Sequence, residues 1–106
     1  MRRRRIVYRH RAREDIRDIA RLFALRVSRQ FASTYIERTR VRIRSFEFAG
    51  ERGTVRGDIG PGVRAIGLMQ SVTVAFVVNA ESVIILRVLY GGQDWQADLT
   101  TDDPEA

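Results

Sequence analysis

The stretch that decides the fold is "VRAIGLMQSVTVAFVVNAESVIILRVLY", residues 63–90. It contains three runs rich in β-branched residues, 63–68, 72–78 and 83–90, which are typical of strands. The connectors between the runs, "MQS" and "NAES", are short enough for antiparallel hairpins. This stretch therefore predicts a three-stranded antiparallel meander.

A sharp turn precedes the meander at "GPGV", residues 60–63. Pro61 fixes φ for the first central position of a turn and Gly62 supplies the positive φ of the second, which predicts a type II turn. The turn ends a glycine-rich connector, residues 50–62, that follows a helix and leads into a strand. A phosphate-binding loop has the opposite order and in its Walker form needs a lysine, which this chain lacks, so we do not interpret the connector as a nucleotide site.

Two helices and a strand are predicted upstream of the connector. "RRIVYR" (4–9) is typical of a short strand, and the apolar side chains of residues 11–27 recur with a helical period. Ser28 is a suitable N-cap for a second helix. Segment 38–44, "RTRVRIR", alternates as a half-buried strand would, but an unbroken apolar stripe favours helix. The stripe consists of Ala32, Ile36, Thr39, Ile43 and Phe46.

The order of these elements predicts an α+β fold. A short N-terminal strand and a two-helix hairpin precede the meander, and both helices pack on one face of a single twisted sheet. We expect residues 1–96 to form one domain and residues 97–106 an acidic, flexible tail.

The composition limits the chemistry and the partners. The 106 residues include no cysteine and one histidine, so we expect no disulfide, no metal and no cofactor. All nineteen basic residues are arginines, and the formal net charge is +6. Four of the thirteen acids lie in the last ten residues; without that tail, nineteen arginines face nine acids, a net charge of +10. Such a surface suits carboxylate or phosphate partners.

The N-terminal "MRRRR" is not followed by a signal-type apolar region, and no apolar stretch reaches the length of a membrane span. We therefore expect a soluble, cytoplasmic chain.

Few side chains are candidates for catalysis or nucleic-acid binding. His10 stands among arginines at a strand–helix corner, where we expect a solvated residue. The acids Glu14, Asp15 and Asp18 suit the start of the first helix. Four phenylalanines fall at core positions, so a stacking platform for nucleic acid is not favoured; they are Phe23, Phe31, Phe46 and Phe76. Tyr90 and Trp95 are expected to be accessible for recognition.

Three stretches carry a resemblance to a known family. The first helix contains Ala12, Asp15, Ile16 and Ile19. The connector and the start of the meander contribute Gly53, Asp58, Ile59, Pro61, Gly62 and Arg64. The last strand and its end read "ILRVLYGGQD", residues 85–94. In this order, over roughly residues 4–95, they resemble the RelE/ParE toxin superfamily, most closely the ParE branch.

The resemblance implies a bacterial toxin of a type II toxin–antitoxin system. Such a toxin is neutralised by a ParD-like antitoxin with an acidic C-terminal segment. ParE-like members inhibit DNA gyrase through protein contacts and are not enzymes.

The alternative is a RelE-like, ribosome-dependent mRNA endonuclease. That reaction needs a proton carrier and cationic stabilisers. Arg64 and Arg87 could grip a phosphate, but Tyr90 stands where the family commonly has a histidine, and no lysine is present. The non-enzymatic branch is therefore favoured.

Two sets of site residues follow from the resemblance and the charge pattern. The predicted target-binding residues are Arg64, Arg87, Tyr90, Gly91, Gly92, Asp94 and Trp95. The predicted antitoxin-binding residues are Arg13, Arg17, Arg21, Phe31 and Tyr35. Two alternatives to target contact stay open. Arg64 and Arg87 each pair with an acid such as Asp58 or Asp94. Trp95 caps the helix–sheet edge.

Overall fold

The computed structural model describes residues 3–69 and 71–91. They form the predicted α+β fold, and segment 38–44 is helical as predicted. The elements are β1 (Arg5–Tyr8), α1 (His10–Arg26), α2 (Arg29–Arg44), a 3-10 turn (Ser45–Glu47), β2 (Thr54–Val55), β3 (Arg64–Leu68), β4 (Val72–Val78) and β5 (Ser82–Tyr90). The predicted tail, residues 97–106, lies outside the described residues.

The five strands form one sheet in the order β1-β5-β4-β3-β2. The antiparallel meander β3–β4–β5 is confirmed, with a bulge in the pairing of β4 with β5 between Ala75 and Phe76. Two pairings were not predicted. β1 runs parallel to β5, with Tyr8 opposite Ile85, and the two-residue β2 lies on the far edge against β3. The helical hairpin between β1 and the meander supplies the long connection that a parallel pair needs.

The core lies between the helical hairpin and one face of the sheet. On α1 the buried apolar residues Ala12, Ile16 and Ile19 follow the helical period, so one stripe faces the strands. Phe46 and Phe76 are completely buried, and their ring centroids lie 5.0 Å apart. Within the described residues, no helix combines the length and the apolar character that crossing a membrane requires.

Local contacts fix the ends of these elements. The Phe31 N–H donates to Ser28 Oγ at 3.0 Å, which confirms Ser28 as the N-cap of α2. Gly62 has a φ of +73°, and the Val63 N–H donates to the Gly60 carbonyl at 3.2 Å, as the predicted turn requires. At Gly53, φ is +75° and an added Cβ would lie 2.3 Å from the Ala65 carbonyl oxygen. Only glycine therefore lets the chain pass this close to β3.

Candidate functional site

A buried ion pair joins α1 to the last strand. β1 ends opposite Ile85, so the end of β5 has no neighbouring strand on that side among the described residues. There the Val88 N–H donates to the Asp15 carboxylate at 2.9 Å, in place of the carbonyl oxygen that a neighbouring strand would supply. The same carboxylate accepts from Arg87 Nε at 2.8 Å and Nη2 at 3.0 Å.

This pair gives Arg87 a structural position. Arg87 is 4% exposed and Asp15 is 8% exposed. The expectation that Arg87 contacts a target is therefore corrected: its guanidinium is buried and bound to a carboxylate. The alternative of an acid partner holds for Arg87, but the acid is Asp15 on α1 and not Asp58 or Asp94. Asp94 lies outside the described residues.

Arg64 occupies a different place from Arg87. It begins β3, is half-buried, and donates through Nη1 to the Arg52 carbonyl at 3.3 Å. β4 separates β3 from β5, so the two arginines do not lie on neighbouring strands. Asp58, considered as a partner for Arg64, is bound instead by Arg56 at 2.8 and 3.0 Å. That hydrogen-bonded guanidinium lowers the pKa of Asp58.

Four rings form an aromatic cluster at the end of β5: Phe23, Phe31, Tyr35 and Tyr90. The Phe23 ring is central, with centroids 4.6 Å from Tyr35, 5.1 Å from Tyr90 and 5.2 Å from Phe31. Tyr90, which we expect to be accessible, is half-buried against these rings, and its part in target contact stays a prediction. The core position predicted for Phe31 was wrong: Phe31 is 43% exposed at the rim.

The aromatic cluster brings together two of the predicted antitoxin-binding residues. The rings of Phe31 and Tyr35 stack with centroids 6.2 Å apart. Burial raises the pKa of Tyr35, and the neighbouring Tyr90 hydroxyl adds to this shift. β5 ends at Tyr90, and Gly91 follows with a φ of +76°. The remaining predicted target residues, Gly92, Asp94 and Trp95, lie outside the described residues.

A groove lined by arginines opens where β1, α1 and α2 meet. We call it the arginine groove. Its walls carry Arg5 and Tyr8 from β1, Arg13 and Arg17 from α1, and Arg40 and Arg44 from α2, with Ile6, Ile16 and Glu47. No side chain of these five arginines makes an ion pair or hydrogen bond with a residue in the described ranges. Glu47, the acid of this lining, accepts from Arg3 at 3.3 Å.

The charges in the arginine groove repel one another. Arg13 and Arg17, like Arg40 and Arg44, are four residues apart on one helix, and such like-charge pairs destabilise a helix by about 0.2–0.5 kcal/mol each. At Tyr8, burial raises the pKa, and the nearby Arg40 and Arg44 oppose this shift. An anionic ligand would relieve the repulsion.

The groove divides the predicted antitoxin-binding arginines. Arg13 and Arg17 line it, whereas Arg21 lies outside that lining and pairs with Asp18 at 3.3 Å. Sequence reasoning missed Arg5, Arg40 and Arg44, because arginines on a helix or an edge strand are usually solvated. The spacing of Arg40 and Arg44 was the available signal.

His10 is a solvated corner residue, as predicted. Its side chain is 75% exposed and its Nε2 lies 3.2 Å from the Glu14 carboxylate. Across residues 3–69 and 71–91, no group of histidine and carboxylate side chains could hold a metal ion.

Comparison with known proteins finds likeness among solved structures. No protein-family model and no curated protein matches the sequence. Among solved structures, a chain of the chromosomal ParDE TA system from P. aeruginosa superposes with a TM-score of 0.73 at 18% identity. The match covers 84% of this chain and 97% of that chain. At this identity the likeness shows that the two chains share a fold.

Proposed function

We propose that this chain is the toxin of a ParDE-type toxin–antitoxin pair, which binds a ParD-like antitoxin and inhibits DNA gyrase through protein contacts. The observation that carries the proposal is the fold shared with a ParDE chain over 84% of this chain. The sequence resemblance to ParE-like toxins, based on particular residues rather than on the fold, supports the same identity. The cytoplasm, where gyrase works, is the compartment that this function requires.

Two surfaces support an antitoxin partner. Arg13 and Arg17 in the arginine groove offer planar donors for the carboxylates of an acidic segment. Phe31 and Tyr35, at the other end of the helical hairpin, offer an apolar anchor point. An acidic amphipathic segment could use both surfaces, since its acids and its apolar side chains need different partners.

The non-enzymatic branch gains support from the Asp15–Arg87 pair. A nuclease would use Arg87 to stabilise negative charge on the phosphate. Here the Asp15 carboxylate lies within 2.8 Å of that guanidinium and would repel a phosphate. Target contact is proposed instead for Arg64 and for the segment that begins at Gly91 and includes Gly92, Asp94 and Trp95.

Two assays on the purified chain test the proposal. We expect it to inhibit DNA supercoiling by gyrase, and the protein encoded by the neighbouring reading frame to relieve the inhibition. Arg64→Gln should weaken inhibition while leaving antitoxin binding unchanged; Arg26→Gln, at an exposed arginine at the end of α1, is the matched control.

Cleavage of mRNA on translating ribosomes, with gyrase unaffected, would overturn the gyrase target and support the endonuclease alternative. Failure of the neighbouring protein to bind would count against the toxin–antitoxin assignment itself.

A further inference from the structure

The arginine groove has the chemistry of a docking site for an acidic peptide. Five guanidinium groups converge on it without an ion pair to any described residue, and its acid, Glu47, is bound to Arg3. Between the arginines lie the apolar side chains of Ile6 and Ile16 and the ring of Tyr8. Guanidinium groups bind carboxylates in a planar, two-pronged geometry. An apolar floor with a cationic rim therefore fits a segment that carries acids next to an apolar residue.

We propose that the segment that occupies the arginine groove is part of this chain itself, residues 97–106, "ADLTTDDPEA". It contains four acids and no basic residue: Asp98, Asp102, Asp103 and Glu105. Leu99, next to Asp98, supplies an apolar side chain for the floor formed by Ile6 and Ile16. The charges are complementary, since the rest of the chain has a net charge of +10.

The chain is long enough to make this contact. Tyr8, in the groove, lies opposite Ile85 on β5, and the strand ends at Tyr90. At about 3.3 Å per residue, Gly91 is therefore about 20 Å further along the sheet. Residues 92–98 span about 23 Å when extended, so Asp98 is the first acid able to return to the groove. Asp102, Asp103 and Glu105 follow four, five and seven residues further along the chain.

The covalent connection favours this segment over a separate ligand. The entropic cost of closing a loop rises only slowly with its length, and a short tether gives an effective concentration in the millimolar range. A partner's acidic segment must therefore displace residues 97–106 before it can use the groove. This inference goes beyond the proposed function and can be tested on the purified chain alone.

The absence of cysteine makes a direct test possible. A spin label on Thr101→Cys in the full chain should broaden the amide NMR signals of groove residues in β1, α1 and α2. We expect the broadening to fall at least twofold in 0.5 M NaCl. It should also fall at least twofold when all four acids are neutralised by Asp98→Asn, Asp102→Asn, Asp103→Asn and Glu105→Gln.

A matched pair of arginine variants separates the groove from general charge attraction. Arg13→Gln with Arg40→Gln should abolish the broadening, whereas Arg26→Gln with Arg29→Gln, exposed at the corner between the helices, should leave it unchanged. Broadening centred on another surface, or broadening equal in both pairs of variants, would overturn the proposal.

Competition with two probes gives a second measurement. A decaglutamate peptide should bind the variant with neutralised acids about tenfold more tightly than the native chain, because the groove is then vacant. Equal affinities would overturn the proposal. Preferential binding of the oligonucleotide dT10 at the groove, with no effect of the tail acids, would overturn it in favour of a site for a nucleic-acid backbone.

Discussion

Replacing Asp15 with alanine should destabilise the fold severely. The change removes the carboxylate that binds the Arg87 guanidinium, which is 4% exposed, and it removes the acceptor of the Val88 N–H. Breaking a buried pair by removing one partner costs about 3–5 kcal/mol. A domain of this size is stable by about 5–15 kcal/mol, so the loss is a large fraction of the total.

Urea unfolding followed by circular dichroism measures this loss directly. For a domain of about this length, 1 kcal/mol corresponds to about 4–8 °C, so a loss of about 4 kcal/mol should lower the melting temperature by about 15–30 °C. Asp18→Ala is the matched control. Asp18 lies three residues further on α1, but it and its partner Arg21 are both 70% exposed. Removing that surface pair should change the free energy of unfolding by less than about 1 kcal/mol.

A double variant separates the cost of an uncompensated buried charge from the loss of the Asp15 side chain itself. Asp15→Leu with Arg87→Met removes both charges and fills the space with apolar atoms, so it should be more stable than Asp15→Ala. A loss of less than about 1 kcal/mol for Asp15→Ala, or a double variant no more stable than the single one, would contradict a structural role for the buried pair.

Three further predictions concern two glycines of the connector, the N-cap of α2 and the pH dependence of stability. In urea unfolding, Gly53→Ala should lower the free energy of unfolding clearly more than Gly62→Ala. Both changes place a side chain at positive φ, which costs about 1–2 kcal/mol. Only at Gly53 would the new Cβ also lie 2.3 Å from a carbonyl oxygen. Equal losses would contradict the close approach of the chain to β3. Ser28→Ala should cost about 1 kcal/mol, because the Phe31 N–H loses its acceptor, and Ser28→Asn should restore most of it. The fold should lose stability above pH 10. Burial raises the pKa of both Tyr8 and Tyr35 above the ordinary value of 10.0. As the pH rises, these tyrosines therefore lose their protons more readily in the unfolded chain than in the folded one, which favours unfolding. Tyr8→Phe should flatten this decline between pH 9 and pH 11, and an unchanged slope would speak against it.

The sequence predicted the elements whose patterns are local. The alternation in 72–78 and the stripe from Ala32 to Phe46 are repeated several times within one element, so both indicate structure without knowledge of neighbours. The parallel pairing of β1 and the two-residue β2 were not predicted. The order of strands in a sheet depends on contacts between segments that are distant in the sequence. A strand of two residues is too short to show an alternating pattern.

The site was less predictable, because its residues meet only in the folded chain. Asp15 and Arg87 are 72 positions apart, and the sequence offers Arg87 several other acids. Arg5, Arg40 and Arg44 each have the pattern of a solvated arginine, and only the packing of the helical hairpin beside β1 makes them converge. The two glycines after Tyr90 indicate that the last strand ends in an accessible position. In the folded chain, the Phe23 ring packs against the Tyr90 ring.

The parallel pairing of β1 with β5 has a consequence for synthesis on the ribosome. Arg5–Tyr8 emerges before both helices, yet the strand it pairs with begins only at Ser82. At about 5–20 residues per second, the first strand waits several seconds for its neighbour. Asp15 waits as long for Arg87, so both the sheet and the buried charge pair are completed by the same late segment. A polypeptide released before that segment is translated lacks β5 and Arg87, so it cannot complete the sheet or the charge pair.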